Sequence, residues 1–193
     1  MHDPWLGKEY ETGIGGQRIA IIGYSRWNGE AGGVDSPSFT NTVLRAVVSG
    51  AERHNFFDHI RNYFGLSDHE EFWSRVIFFN YLPECIGGPD SRFGRGSDEQ
   101  NERANERFLG LLGRYVPQKT VIFSSKTWGA LPPFRKTLRF RPDGLEKAVL
   151  KDPCGTYESN GHTVAAFGLR HPQGAPKEQM CEAVRRIIEF DIR

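Results

Sequence analysis

Three short polar motifs follow apolar runs along the chain, and each supplies groups that can bind a ligand. The segment 23–27 reads Gly-Tyr-Ser-Arg-Trp and follows the apolar run 19–22. The segment 80–81 reads Asn-Tyr after the run 76–79, and His-Pro-Gln-Gly occupies 171–174. In open α/β sheets the ligand crevice lies outside the carboxyl ends of the strands. The three motifs in series therefore predict one composite pocket at that edge of a sheet.

Strands that alternate with helices must position these motifs. Continuous apolar residues predict buried strands at 18–22, 75–79, 120–123 and 163–167. Helices are expected from Ser36-Pro37, at 56–63, after the Ser67-Asp68 cap, up to about Tyr115, from about Lys126 and at 176–190. This alternation predicts a three-layer α/β/α sandwich around a mainly parallel central sheet, formed by one domain over 1–193 with 1–17 as a lead-in segment.

Composition narrows the class of protein. The chain has 193 residues, 38% hydrophobic and 25% charged, and a net charge of +1, so nucleic-acid binding would need a local basic patch. No apolar run is long enough to span a membrane, and the N-terminus lacks a signal-peptide pattern. The three scattered cysteines, Cys85, Cys154 and Cys181, argue against a disulfide framework or a thiolate metal site. We expect a cytoplasmic protein.

The order and spacing of the motifs resemble the uracil-DNA glycosylase superfamily over about residues 18–190. In that family a first strand ends in a Gly-Gln-Asp-Pro-Tyr loop, a later strand ends in Leu-Leu-Asn, and the chain closes with His-Pro-Ser-Pro. Segments 36–41, 72–80 and 121–129 also resemble family motifs. The resemblance implies a monomeric DNA glycosylase without cofactor or metal. It would flip out and hydrolytically excise a non-standard pyrimidine from DNA, leaving an abasic site.

Two residues match the family's base-recognition positions. Asn80 matches the Asn that hydrogen-bonds the polar edge of the pyrimidine, and a carboxamide offers both the donor and the acceptor that this needs. His171 matches the His that donates to a pyrimidine oxygen as charge builds on the departing base. The alternatives are an Asn that bonds its own turn and an idle His in an exposed turn.

The catalytic carboxylate of the family is missing at its usual position. Ser25 occupies the place of the Asp that positions or activates water, and a neutral hydroxyl cannot stabilise a cationic sugar as a carboxylate does. Glu30 and Asp35 are candidate replacements in the same loop, with Glu30 preferred because glycines around it let the backbone bend. The alternative for each is a solvated loop charge.

The pocket wall and the wedge also depart from the family pattern. Gly23 and Tyr24 are expected to line the base pocket, and Trp27 stands where the family has the Tyr that excludes large C5 substituents. A modified base is therefore at least as plausible a target as uracil. Gln173 and Gly174 stand where the family has the bulky residue that enters the base stack. They are expected to contact DNA, and either the base stack is not entered or another loop enters it.

Basic residues in two segments are candidates for DNA contacts. The segment 134–141 mixes basic and aromatic residues that could track phosphates and stack bases, and the loop at 82–101 is long and rich in glycine. The candidates are Arg135, Lys136, Arg139 and Arg141 in the first segment and Arg92 and Arg95 in the loop. The alternative is an edge strand and a loop that carry only solvated charge.

Two other functions remain open from the sequence. One is a non-catalytic binder of nucleic acid or nucleotide that keeps the pocket without the Asp, and the other is a hydrolase of small nucleosides. A phosphate-binding loop, a dinucleotide-binding glycine motif and a paired His-Cys metal motif are absent from the sequence. Trp27 also replaces the last glycine of a Gly-x-Ser-x-Gly nucleophile motif around Ser25.

Overall fold

The computed structural model describes residues 1–26, 36–86, 94–140 and 143–192. The strands in these ranges are β1 Trp5–Leu6, β2 Ile19–Gly23, β3 Val76–Asn80, β4 Lys119–Ile122, β5 Lys136–Thr137, β6 Val149–Ser159 and β7 His162–Leu169. The helices are α1 Phe39–Val48, α2 Asn55–Tyr63, α3 His69–Trp73, α4 Asp98–Tyr115, α5 Ser125–Ala130 and α6 Lys177–Glu189. The predicted helices and the four predicted strands are thus confirmed, with ends shifted by a few residues.

All of these strands belong to one sheet with the order β1-β3-β2-β4-β7-β6-β5. The four central strands β3, β2, β4 and β7 are parallel, whereas β1, β6 and β5 pair antiparallel at the two sides. The expectation of a mainly parallel central sheet is therefore confirmed. The central strands read as continuous apolar runs because both of their faces are buried.

Helices cover both faces of the sheet, which makes the fold an α/β sandwich. Alternate residues of β2 point to opposite faces, as the strand period of two requires. Ile19 and Ile21 belong to a buried cluster with apolar residues of α1, α2, α3 and α6. Ala20 and Ile22 belong to a second cluster with residues of α4.

The strand β6 was not expected from the sequence. Its register against β7 is broken between Val149 and Cys154, and Asp152 has a positive φ of 49°. This bulge interrupts the period-two alternation by which a strand is recognised. The turn into β7 has positive φ at Asn160 and Gly161, as an Asn-Gly hairpin turn requires.

The N-terminal lead-in contributes the edge strand β1. Its Trp5 pairs with Phe78 of β3, and the Trp5 indole donates a hydrogen bond of 2.7 Å to the carbonyl of Trp73. The lead-in is therefore attached to the sheet next to the strand that carries Asn80. In the part of the chain that the structure describes, no helix combines the length and apolar character of a membrane span.

Candidate functional site

Gly23 and Asn80 lie side by side at the carboxyl ends of β2 and β3. They are register partners in the parallel pair. A Cβ atom built on Gly23 would overlap Oδ1 of Asn80, and it would also lie 3.7 Å from Cζ of Phe56. The Asn80 amide therefore lies directly over the Gly23 backbone, in space that only glycine leaves open.

Backbone hydrogen bonds continue the pairing of β2 and β3 beyond the ends of the strands. The amide of Leu82 donates to the carbonyl of Tyr24 at 2.8 Å, and the amide of Ile86 donates to the carbonyl of Arg26 at 3.0 Å. Thr127 of α5 adds a hydroxyl bond of 3.1 Å to the carbonyl of Gly23. The segments that follow β2 and β3 are consequently held beside each other where they leave the sheet.

A buried arginine holds the backbone of Asn80. Arg107 of α4 donates to the Asn80 carbonyl at 3.1 Å and to the His2 carbonyl at 2.8 Å. Burial lowers the pKa of Arg107 to about 10, so it remains charged at neutral pH. The Asn80 side chain is half-buried, and its amide makes no hydrogen bond to the residues that the structure describes. Among the described residues, nothing competes with a ligand for this donor and acceptor.

His171 follows the carboxyl end of β7 in an exposed turn. The Gln173 backbone amide donates to Nδ1 of His171 at 3.2 Å, which leaves the proton of a neutral ring on Nε2. Although the turn is exposed, neighbouring atoms partly shield the ring from water, and this desolvation together with the nearby His59 lowers the pKa of His171 below its usual 6.5. At neutral pH the ring is therefore an uncharged donor at Nε2.

Phe56, the second residue of α2, links these groups. Its ring centroid lies 5.4 Å from that of His171 with a tilt of 33°, and its Cζ approaches Gly23 and hence the Asn80 amide. The structure thus brings Gly23, Asn80 and His171 to one edge of the sheet. The sequence predicted Phe56 only as part of a helix. Phe57 is buried in the core whereas Phe56 is half-buried, and the sequence does not distinguish these two neighbouring aromatic residues.

Tyr24 joins two loops above the sheet. Its hydroxyl accepts a hydrogen bond of 2.9 Å from the amide of Gly96, and Lys126 lies 5.3 Å from its ring centroid. The exposed Arg95 precedes Gly96 and so lies near Tyr24, and Ser25 is half-buried. The remaining predicted site residues, Trp27, Glu30, Asp35, Arg92 and Arg141, lie outside the described residues.

The other predicted DNA contacts lie in two places. Gln173 and Gly174 share the turn of His171, and Gly174 has a φ of 86°, a conformation that glycine adopts without strain. Lys136 belongs to the edge strand β5, which lies four strand spacings from β2, or about 19 Å. Arg135 is exposed and lies 3.8 Å from the Glu158 carboxylate, and Arg139 is exposed just beyond β5. The structure therefore does not bring this basic segment together with Asn80.

The assembled groups suit a flat polar ring. An amide offers a donor and an acceptor, a neutral imidazole offers a donor, and a phenyl ring offers a stacking surface. Among the described residues, no cluster of three or more His, Cys, Asp or Glu side chains could hold a metal ion. No protein-family model matches the chain, and a comparison with curated proteins found no match.

Proposed function

We propose that the protein is a DNA glycosylase with a uracil-DNA-glycosylase-like fold, which accepts a flipped non-standard pyrimidine and hydrolyses its N-glycosidic bond. The observation that carries the proposal is the placement of the Asn80 amide and the His171 imidazole around one half-buried ring, Phe56. Each of these groups has a separate task in the proposed reaction.

Asn80 reads the base. The carboxamide oxygen accepts from the pyrimidine N3–H, and the carboxamide NH₂ donates to the neighbouring O4. The face of the base stacks on Phe56, which replaces part of the stacking that the base loses on leaving the duplex. Because Arg107 holds the Asn80 backbone carbonyl, the amide reaches the base edge from a fixed point of the sheet.

His171 stabilises the departing base. As the N-glycosidic bond breaks, its electron pair moves into the pyrimidine and negative charge builds on O2. The neutral ring donates its Nε2 proton in a hydrogen bond to that oxygen, and the bond strengthens as the charge grows. The Gln173 amide on Nδ1 keeps the imidazole in the tautomer that this donation requires.

The water that attacks the sugar needs a base or a stabilising charge. Ser25 is neutral, and losing a general base typically costs about 10²–10⁴-fold in rate. We assign this task to a carboxylate of the same loop, Glu30 or else Asp35. The neutral Ser25 also favours the second candidate, a non-catalytic nucleic-acid or nucleotide binder that uses the same pocket.

The test is base release from a panel of DNA duplexes that contain uracil, thymine mismatches or modified cytosines, measured as alkali-cleavable abasic sites. We expect the intact protein to process at least one of them. Asn80→Ala should lose recognition of the base, His171→Ala should lower the rate while DNA binding stays near normal, and Glu30→Gln should cost about 10²-fold or more. His162→Ala, at an exposed position in β7, is the matched control for His171→Ala and should be fully active.

Each failure points to a different conclusion. Full activity of both Asn80→Ala and His171→Ala would refute the proposed pocket. Full activity of Glu30→Gln would transfer its task to Asp35. DNA binding without any abasic site would favour the non-catalytic binder, and release of bases from free nucleosides without DNA binding would favour a nucleoside hydrolase.

A further inference from the structure

Arg26 places its guanidinium group over an aromatic ring at the start of α1. Its Cζ lies 3.7 Å from the ring centroid of Phe39, well within the range of a cation–π contact. The Phe39 ring also stacks with His2 at 5.2 Å, and His2 is buried. The carbonyl of His2 in turn accepts a hydrogen bond from Arg107. The surface under Arg26 is therefore fixed by the same residue that holds Asn80.

Among the described residues, no ion-pair partner occupies the edge of this guanidinium, so it can bind an anion. Within the described ranges, no carboxylate lies within ion-pair distance of Arg26. Burial lowers the pKa of Arg26, yet an arginine remains charged in proteins. With Cζ this close to the ring, the ring covers one side of the group, and the N–H donors of a guanidinium lie in its plane, where they match two oxygens of a phosphate.

Arg26 lies at the rim of the proposed base pocket. It forms a parallel bridge with Cys85, which extends the β2–β3 pairing beyond Gly23 and Asn80. Burial is the main cause of the lowered pKa of His54, the N-cap residue of α2 two residues before Phe56, and the nearby charge of Arg26 lowers it further. A flipped nucleotide keeps the phosphates on either side of it, so these groups must pass the rim of any pocket that holds its base.

We infer that Arg26, stacked on Phe39, binds a backbone phosphate next to the flipped nucleotide. The inference rests on the proposed function, because it takes the base pocket as the reference point for the strand. It assigns the phosphate contact nearest the pocket to Arg26, in the segment that follows β2. The strand β5 lies about 19 Å from β2 across the sheet, so any phosphate contact made by its basic residues would be to a different part of the DNA.

The first test measures binding to a duplex that carries one tetrahydrofuran abasic analogue, so that the identity of the base does not matter. Affinity is measured over a range of salt concentrations for the intact protein, Arg26→Gln and Arg45→Gln. Arg45 is an exposed residue in the last turn of α1 and serves as the matched charge control. We expect Arg26→Gln to weaken binding about tenfold and to lower the salt slope by about 0.9. Arg45→Gln should change neither.

The second test locates the contact. Neutral methylphosphonate linkages replace single phosphates on both sides of the abasic analogue, one at a time. At one linkage adjacent to the analogue, the substitution should weaken binding of the intact protein but not of Arg26→Gln. Phe39→Leu and Arg26→Lys should give intermediate losses, because each keeps the positive charge but removes the stacked geometry.

Three results would overturn the inference. The first is an equal loss of affinity for Arg26→Gln and Arg45→Gln. The second is that every methylphosphonate weakens the binding of Arg26→Gln as much as it weakens the binding of the intact protein. Either can occur while the intact protein still releases a base, which would leave the proposed function standing. The third is a complete lack of DNA binding by the intact protein, which would refute the inference and the proposed function together.

Discussion

Substituting Gly23 by Ala tests the geometry of the site without knowledge of its substrate. The added Cβ would lie inside the 3.0 Å limit that real Cβ atoms respect, and the atom that it meets is Oδ1 of Asn80. The next atoms, Cγ of Asn80 and Cζ of Phe56, lie at 3.6 Å and 3.7 Å, which is ordinary contact. The Asn80 amide must therefore move by roughly 1 Å to restore van der Waals separation.

The cost of Gly23→Ala should depend on Asn80. In the otherwise intact protein, we expect the substitution to lower the free energy of unfolding by about 1 kcal/mol, at the low end of overpacking costs, because the obstructing oxygen is the end of a side chain that can shift. In an Asn80→Ala background the obstructing oxygen is gone, and Ala in a strand should then gain about 0.5–1 kcal/mol over Gly. The two substitutions should consequently show a coupling energy of about 2 kcal/mol.

Urea unfolding of the four proteins in this double-mutant cycle measures the coupling, provided that their m-values agree. Gly110→Ala is the control, because a Cβ there meets nothing within 4 Å in α4, and it should stabilise the protein by up to about 1 kcal/mol. An equal cost of Gly23→Ala with and without the Asn80 side chain would refute the argument. If the panel identifies a substrate, Gly23→Ala should also lower base release by about 10²-fold.

Three further predictions concern the pH dependence of base release, the pH dependence of stability and the distant basic segment. The pKa of His171 lies below 6.5 in the folded protein, so above that pH Nδ1 of the ring accepts the hydrogen bond from the Gln173 amide. At lower pH, protonation of Nδ1 removes this acceptor and the ring loses its fixed position, so base release should fall, and this acidic limb should be absent from the pH–rate profile of His171→Ala. The pKa of His54 is also lowered in the folded protein. As the pH falls, the unfolded chain therefore protonates both histidines at a higher pH than the folded protein does, so the free energy of unfolding should decrease below pH 6.5. Urea titrations at several pH values would measure this decrease. Arg139→Ala should lower the salt slope of DNA binding by about one if DNA reaches the β5 edge, and an unchanged slope and affinity would identify that edge as solvated surface.

The sheet and its polar edge were predictable because parallel strands leave strong signals in a sequence. Burial on both faces of β2, β3 and β4 produces continuous apolar runs, and the residues after such runs must meet at one edge. The strand β6 was predictable in part, because Asn160-Gly161 is a strong hairpin signal. Its bulge at Asp152 nevertheless hides the alternation that would have marked the strand.

The roles of Phe56 and Arg26 could not be deduced from the sequence. Phe56 and Phe57 are neighbours of the same type, and only packing decides that Phe57 enters the core while Phe56 contacts His171. Arg26 stood within the first motif, but its partner ring belongs to α1, 13 residues further along the chain. Contacts of this kind depend on tertiary structure and leave no periodic pattern.

The most direct test of the base pocket is a crystal structure of the protein with duplex DNA that carries a 2′-fluoroarabino analogue of the pyrimidine that is processed best, since this sugar resists cleavage. We predict that the nucleotide is flipped, that its polar edge contacts the amide of Asn80, and that its ring stacks on Phe56. Its O2 should lie within hydrogen-bond distance of Nε2 of His171. A pyrimidine that remains stacked in the duplex, or that binds away from Asn80 and His171, would contradict the account.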